Sequence, residues 1–163
     1  MKKERNRNIV IASIIILAVI SRLAPHPPNF APITGIALFS SKKINNKFFG
    51  VLLPIIPLFI SDLFLGIGFI NIFVYVSFII IYFLGVISKK IDFKTVFLSS
   101  IIFFVLTNFG VWYLSYPKNV EGLIACFTMA IPFFVNTIFG DLFYSFILFR
   151  SFKTIKKFKF KYA

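Results

Sequence analysis

The chain has 163 residues, of which 59% are hydrophobic and 14% are charged, with a formal net charge of +13 and a mean hydropathy of +0.93. Soluble domains are about half apolar and about a quarter charged, so this composition excludes an ordinary water-soluble fold and favours an integral membrane protein. The chain has one cysteine, Cys126, and one histidine, His26. These counts exclude a disulfide framework and a Cys/His zinc site.

Six apolar runs follow one another along the chain. A lipid-exposed span must satisfy its own backbone hydrogen bonds, so we expect each run to be helical. The second run is too short for a hydrocarbon core of ~30 Å, which needs about 20 residues. The sixth is too long, and Pro132 is expected to break it into an external segment, 121–131, and a crossing, 132–149. The runs cover residues 8–24, 31–41, 48–65, 70–88, 95–115 and 121–149.

The distribution of basic residues predicts the topology. Of the 18 basic residues, only Arg22 and Lys118 lie outside the N-terminus, the gaps after the second and fourth runs, and the C-terminal tail. Positive charge marks cytoplasmic segments, which predicts six spans with both termini in the cytoplasm, in the inner (plasma) membrane. The charge therefore indicates attraction to anionic lipid, and we expect no nucleic-acid partner.

These patterns predict an all-α membrane helix bundle that forms a single integral membrane domain over residues 1–163. We expect a basic N-terminus (1–8), the bundle (8–149) and a basic tail (150–163) that extends the last helix. The start "KKERNR" followed by "IVIASIIILAV" also resembles a signal peptide. The next residues, "SRLAP", lack a small-residue cleavage site, which favours a retained first span.

The segment "SRLAPHPPNFAPITG", residues 21–35, separates the first two runs and contains four prolines. Proline fixes φ and favours extended backbone before it, so we expect a stiff strap with no helix before about residue 32. The strap would hold Arg22, His26 and Asn29 near the outer membrane surface. Two interpretations stay open: a rigid turn whose arginine reaches the head groups, or a loop that contacts a ligand.

Polar side chains inside the apolar runs are the candidate site, because ionisable residues within a membrane are costly and usually functional. Asp62 and Asn108 lie near the predicted outer ends of the third and fifth runs, and Trp112 shares a helix face with Asn108. We predict a substrate-binding set from these residues, the strap and the sixth run. Its members are Arg22, His26, Asn29, Asp62, Asn108, Trp112, Asn136 and Asp141.

In the sixth run, Thr137, Asp141 and Tyr144 form one stripe, and Asn136 and Gly140 form an adjacent stripe. Asp141 is predicted near the middle of the membrane, where a carboxylate needs a partner, and Arg22 is the expected cation. The alternative for these residues is interhelical hydrogen bonding, with Gly140 allowing close helix packing.

Three segments resemble an uncharacterised bacterial membrane-protein family: "RLAPHPPNFAPITGIALFS", "LLPIIPLFISDLFLG" and "VLTNFGVWYLSYPKNVEGLIACFTMAIPFFVNTIFGDLFY". The resemblance covers roughly residues 22–149. That family is distantly similar to the substrate-binding S components of energy-coupling-factor transporters, which are small six-helix proteins. The resemblance implies capture of a vitamin-like or precursor-like small molecule on the outer side, without a cofactor, and docking on an energising module.

The chain departs from S components in its first span, where Ala12 and Ala18 are six residues apart and do not form an alanine-x-x-x-alanine pattern. The histidine-led N-terminus of metal binders is also missing, which argues against a metal substrate. One alternative is an intramembrane aspartyl-type enzyme in which Asp62 and Asp141 share a proton, with Ile138 replacing the first glycine of a Gly-x-Gly-Asp motif. Another is a structural membrane partner without a ligand.

Overall fold

The computed structural model describes the backbone of residues 2–161 and the side chains of residues 9–154. The described backbone forms six α-helices and no strand, which confirms the predicted all-α helix bundle. The boundaries of α2 to α5 lie within two residues of the predicted runs. The basic side chains before residue 9 and after residue 154 lie outside the described part. The helices are α1 (Lys2–Leu23), α2 (Ile33–Lys43), α3 (Lys47–Leu65), α4 (Ile70–Ile87), α5 (Phe93–Ser115) and α6 (Val120–Lys161).

Four helices are long and apolar enough to cross a membrane: α3, α4, α5 and the segment Val120–Thr154 of α6. The apolar part of α1, Ile9–Leu23, is shorter, and α2 with its 11 residues rises only about 16 Å. Large apolar side chains on the helices face outward, among them Phe64 and Phe139. Such a surface is incompatible with water as the solvent, so the chain is a membrane protein, as its composition predicts.

Helix α6 runs without interruption from Val120 to Lys161, so the predicted break at Pro132 is wrong. The segments 121–131 and 132–149 are parts of one helix. Proline removes only its own backbone donor, and neighbouring helices and side chains can satisfy the carbonyl that it leaves free, so membrane helices tolerate it. The expected extension of the last helix into the basic tail is observed in the backbone as far as Lys161.

The short helix α2 lies at the centre of the bundle. All eight residues from Ile33 to Ser40 are buried, because α3, α4, α5 and α6 pack around them. A helix whose successive residues are buried on every side lies in the interior of the bundle and not at its lipid-facing surface. At Gly35 the backbone of α6 comes so close that an added Cβ would lie 3.1 Å from the nitrogen of Ser145. The small residue thus allows α2 and α6 to cross closely.

The proline strap, residues 24–32, is non-helical as predicted. The carbonyl of Pro27 accepts a hydrogen bond from the nitrogen of Phe30 at 3.0 Å, and Asn29 has a φ of 64°. A β-turn with Pro28 in its second position and a left-handed residue in its third is a type II turn, and asparagine tolerates that conformation. The sequence "PPNF" therefore encodes a defined reversal of the chain.

The strap is anchored on α6. The ring of Phe30 packs edge-on against Tyr144 with a centroid distance of 5.5 Å, and its backbone lies directly over Gly140. The hydroxyl groups of Tyr144 and Ser21 are 3.1 Å apart, which links α6 to the end of α1 that leads into the strap. These contacts fix the strap over one end of the bundle.

Candidate functional site

A cavity of about 180 Å³ lies next to the strap, and the strap and all six helices contribute to its wall. Apolar residues, including Val74, Phe78 and Phe103, form part of the lining. The rest is polar, which is uncommon inside an apolar bundle because each polar group must find a partner there. The polar lining residues are Arg22, Asn29, Thr34, Asp62, Asn71, Thr137 and Asp141.

Arg22 and Asp62 form an ion pair at the strap end of the cavity. The guanidinium Nη2 lies 2.6 Å from Oδ1 of Asp62, and its Nε donates to the hydroxyl of Ser61 at 2.5 Å. The second carboxyl oxygen, Oδ2, accepts from Asn71 at 2.7 Å and from the hydroxyl of Tyr75 at 2.8 Å. The Asp62 side chain is only 4% exposed, yet both of its oxygens are satisfied. Asp62 is therefore paired with a cation and fully hydrogen-bonded despite its burial.

Asp141 is the second carboxyl group of the cavity and has different surroundings. It is 2% exposed, and its Oδ2 accepts a hydrogen bond from the hydroxyl of Ser100 on α5 at 2.7 Å. The hydroxyl of Thr34 also interacts with this carboxyl group. Arg22, the predicted cation, pairs with Asp62 instead. Among the described side chains, 9–154, Asp141 therefore has hydroxyl partners but no ion pair.

The two aspartates do not form a catalytic pair in this arrangement. Asp62 and Asp141 line the same cavity, but they share no hydrogen bond with each other within residues 9–154. A shared proton requires two carboxyl groups in direct contact. Both oxygens of Asp62 are already engaged by Arg22, Asn71 and Tyr75. The geometry therefore gives the intramembrane-enzyme interpretation no support.

The structure brings together half of the predicted substrate-binding set. Arg22, Asn29, Asp62 and Asp141 line the cavity, and Thr137 of the predicted α6 stripe lines it as well. The remaining four residues do not line it: His26, Asn108, Trp112 and Asn136.

Local hydrogen bonds explain where three of these four residues lie. The Nδ1 atom of His26 lies 2.7 Å from the carbonyl of Ala24, within the strap itself. Asn108 donates to the carbonyl of Phe104 one turn earlier in α5. Trp112 donates to a carbonyl in the loop after α5 at 3.0 Å. Each side chain hydrogen-bonds to the backbone of its own segment. Asn108 and Trp112 therefore share a helix face without forming a common site.

The sequence interpretation missed five polar partners: Thr34, Ser61, Asn71, Tyr75 and Ser100. Asn71 and Tyr75 are four residues apart in α4 and therefore share a helix face, a spacing that could have identified them. Ser61 directly precedes Asp62. Ser100 lies in an apolar run, where serine commonly bonds to its own helix backbone, so nothing distinguished it.

No group of three histidine, cysteine, aspartate or glutamate residues in the described part of the chain could hold a metal ion. No curated protein and no solved structure matches the chain. The comparisons thus show no similarity to S components. One family model matches residues 2–162, which confirms the resemblance to an uncharacterised family. The chain belongs to a family of unknown function, DUF6580.

Proposed function

We propose that this protein is the substrate-binding membrane component of an uptake transporter for a small, vitamin-like or precursor-like molecule. One observation carries the proposal: the strap and five of the six helices, all but α5, direct charged or polar side chains into the same cavity. Charged groups inside a membrane protein are costly and typically mark a ligand or ion site. An apolar lining with a few placed polar groups is typical of small-molecule sites.

The cavity volume limits the size of the ligand. A dry cavity of ~150 Å³ can hold benzene, so about 180 Å³ suits a molecule with one ring or a comparable body. Val74, Phe78 and Phe103 offer apolar contact for that body. Arg22 and Asn29 supply polar groups at the strap end, and Asp141 supplies one in the interior.

The position of the cavity supports an outward-facing site. Arg22, the strap, Asp62 and Asn71 all lie at the end of the bundle where α1 and α3 finish and α4 begins. Lys43 and Lys89 mark the opposite end, together with most other loop lysines. Under the positive-inside rule, the lysine-rich end faces the cytoplasm and the cavity faces outward. A plasma-membrane location is part of the same proposal.

The first test is the topology. Single cysteines at Ala24 and Lys118 should react with an impermeant maleimide in intact cells. Cysteines at Asn45 and Lys89 should react only after permeabilisation. The native Cys126 is 3% exposed, so the parent protein provides a low background. The opposite labelling pattern would remove the basis for an outward-facing site.

The second test is binding. The protein in lipid nanodiscs is incubated with a metabolite extract, and retained compounds are identified by mass spectrometry. Affinity for a retained compound should fall by about 1.5–3 kcal/mol, roughly one to two decades, in Arg22→Ala, Asp62→Ala and Asp141→Asn. The matched controls are Lys90→Ala and Asp92→Asn, which change the exposed pair at the other end of the bundle.

Normal affinity in all three cavity variants would contradict the proposal. Loss of folding in all three would instead favour the interpretation that these residues only pack helices. Asp141→Asn is the most informative variant, because asparagine keeps the shape of the side chain and part of its hydrogen bonding. Expression and a monodisperse elution profile report on folding independently of binding.

A further inference from the structure

The cavity is lined by two acidic side chains but only one basic side chain. Arg22 pairs with Asp62 at 2.6 Å, so the one guanidinium group already has its counter-charge. Asp141 remains, and across residues 9–154 no lysine, arginine or histidine nitrogen lies within 4.0 Å of its carboxyl oxygens. Asp141 is therefore the one acidic group among the cavity-lining residues that has no cationic partner.

The surroundings of Asp141 orient its carboxyl group without neutralising it. Ser100 donates to Oδ2 at 2.7 Å, and the hydroxyl of Thr34 also interacts with the carboxyl group, whereas the hydroxyl of Thr137 donates to the carbonyl of Phe133. A hydroxyl group supplies a hydrogen bond but no positive charge. Asp141 is 2% exposed, and burial disfavours the charged form of a carboxyl group unless a cation compensates it. A positively charged ligand would therefore stabilise the ionised form of Asp141.

Two aromatic rings lie in the same cavity as this carboxyl group. Phe78 and Phe103 both line it, with ring centroids 5.1 Å apart and planes tilted by 37°. The faces of aromatic rings attract cations through the ring quadrupole. A carboxylate next to aromatic rings and aliphatic side chains fits an ammonium group attached to a small apolar body. An anion would be repelled by an ionised Asp141, and a neutral molecule would supply no charge to stabilise that form.

We infer that the ligand of this cavity is a small organic cation whose positive group pairs with Asp141 and whose apolar body packs against Phe78 and Phe103. This inference rests on the proposed function and adds to it the charge of the ligand. The Arg22–Asp62 pair then forms the neutral, strap-side part of the site. The selectivity for charge resides in Asp141 alone.

Three probes with the same ring and nearly the same size test this inference: benzylammonium, benzyl alcohol and benzoate. The full chain is placed in nanodiscs of zwitterionic phosphatidylcholine, so that lipid charge does not concentrate the cation. Dissociation constants are measured by ligand-observed NMR at pH 7. We expect benzylammonium to bind at least about ten-fold more tightly than benzyl alcohol, and benzoate to bind most weakly.

Variants then assign the preference to one residue. Asp141→Asn should remove the preference for the ammonium probe, whereas Asp92→Asn should keep it.

Different failures have different meanings. If benzoate or benzyl alcohol binds as tightly as benzylammonium, or if the preference survives Asp141→Asn, the cation inference is overturned while small-molecule binding stands. If none of the three probes binds, the cation inference is overturned, whereas the proposed function falls only if the metabolite extract also yields no retained compound.

Discussion

Arg22→Met tests whether the ion pair holds the strap end of the bundle together. Methionine keeps most of the length and apolar surface of the side chain but removes the charge and both donors. Asp62, whose side chain is 4% exposed, would then be a buried carboxylate without a cation. Asn71 and Tyr75 would still donate to its Oδ2.

The expected loss in the free energy of unfolding is about 3 kcal/mol. Removing one partner of a buried pair typically costs about 3–5 kcal/mol. The lower end applies here, because two neutral donors remain and the Arg22 side chain is 19% exposed. The double variant Arg22→Met/Asp62→Leu should lose less free energy of unfolding than the sum of the losses in the two single variants. The difference is the interaction energy of the pair, which we expect to be roughly 2 kcal/mol.

Reversible unfolding in mixed detergent micelles, followed by far-UV circular dichroism and by the fluorescence of the single Trp112, measures these energies. Lys90→Met is the matched control, because it breaks an exposed pair with Asp92 and should leave stability nearly unchanged. A loss below about 1 kcal/mol for Arg22→Met, or strict additivity in the double variant, would refute the reasoning.

Two further predictions concern packing and pH. Gly140→Val should destabilise the bundle by about 1–3 kcal/mol, because an added Cβ would lie 3.0 Å from the Cα of Phe30. In the same unfolding assay, Gly68→Val should have little effect, since that position is open. Hydrogen bonds from the backbone nitrogen and hydroxyl of Thr95 at the start of α5 lower the pKa of Asp92 below its ordinary value of 3.8. The difference in the free energy of unfolding between the parent protein and Asp92→Ala should therefore be constant at neutral pH and shrink as the pH falls through the lowered pKa. A difference that stays constant down to strongly acidic pH would contradict this account.

Several features of the fold could be predicted from the sequence because they depend on local chemistry. Long apolar runs must be helical in lipid, and prolines prevent helix through the strap. The second run is too short to cross the membrane, and its length alone predicts this. Its position at the centre of the bundle depends on which faces α3 to α6 present to it, and residue order alone does not specify that.

Pro132 shows where a local rule gives the wrong result. In an isolated helix, proline removes one hydrogen bond and clashes with the preceding turn, so a break is the expected outcome. In α6, Pro132 lies between long apolar stretches. Their backbone groups have no hydrogen-bond partners in lipid outside the helix, so the helix continues. Pro54 and Pro57 lie inside α3 under the same conditions.

The members of the candidate site that could be predicted are charged residues at positions where the neighbouring sequence is apolar. Arg22, Asp62 and Asp141 are charged groups beside or within apolar runs, and all three line the cavity. Asn108 and Trp112 have the same polarity but satisfy their hydrogen bonds within their own segment. Sequence spacing identifies which residues share a helix face, but it does not reveal which way that face points.

The burial of α2 has a consequence for biogenesis. Eleven residues cannot span the bilayer, and the neighbours that cover Ile33–Ser40 include α4, α5 and α6, which leave the ribosome later. We therefore expect α2 to remain at the membrane interface during synthesis and to enter the bundle only after α6 is in place. Nascent chains that end before α6 should then expose this segment to protease, whereas the full-length protein should protect it.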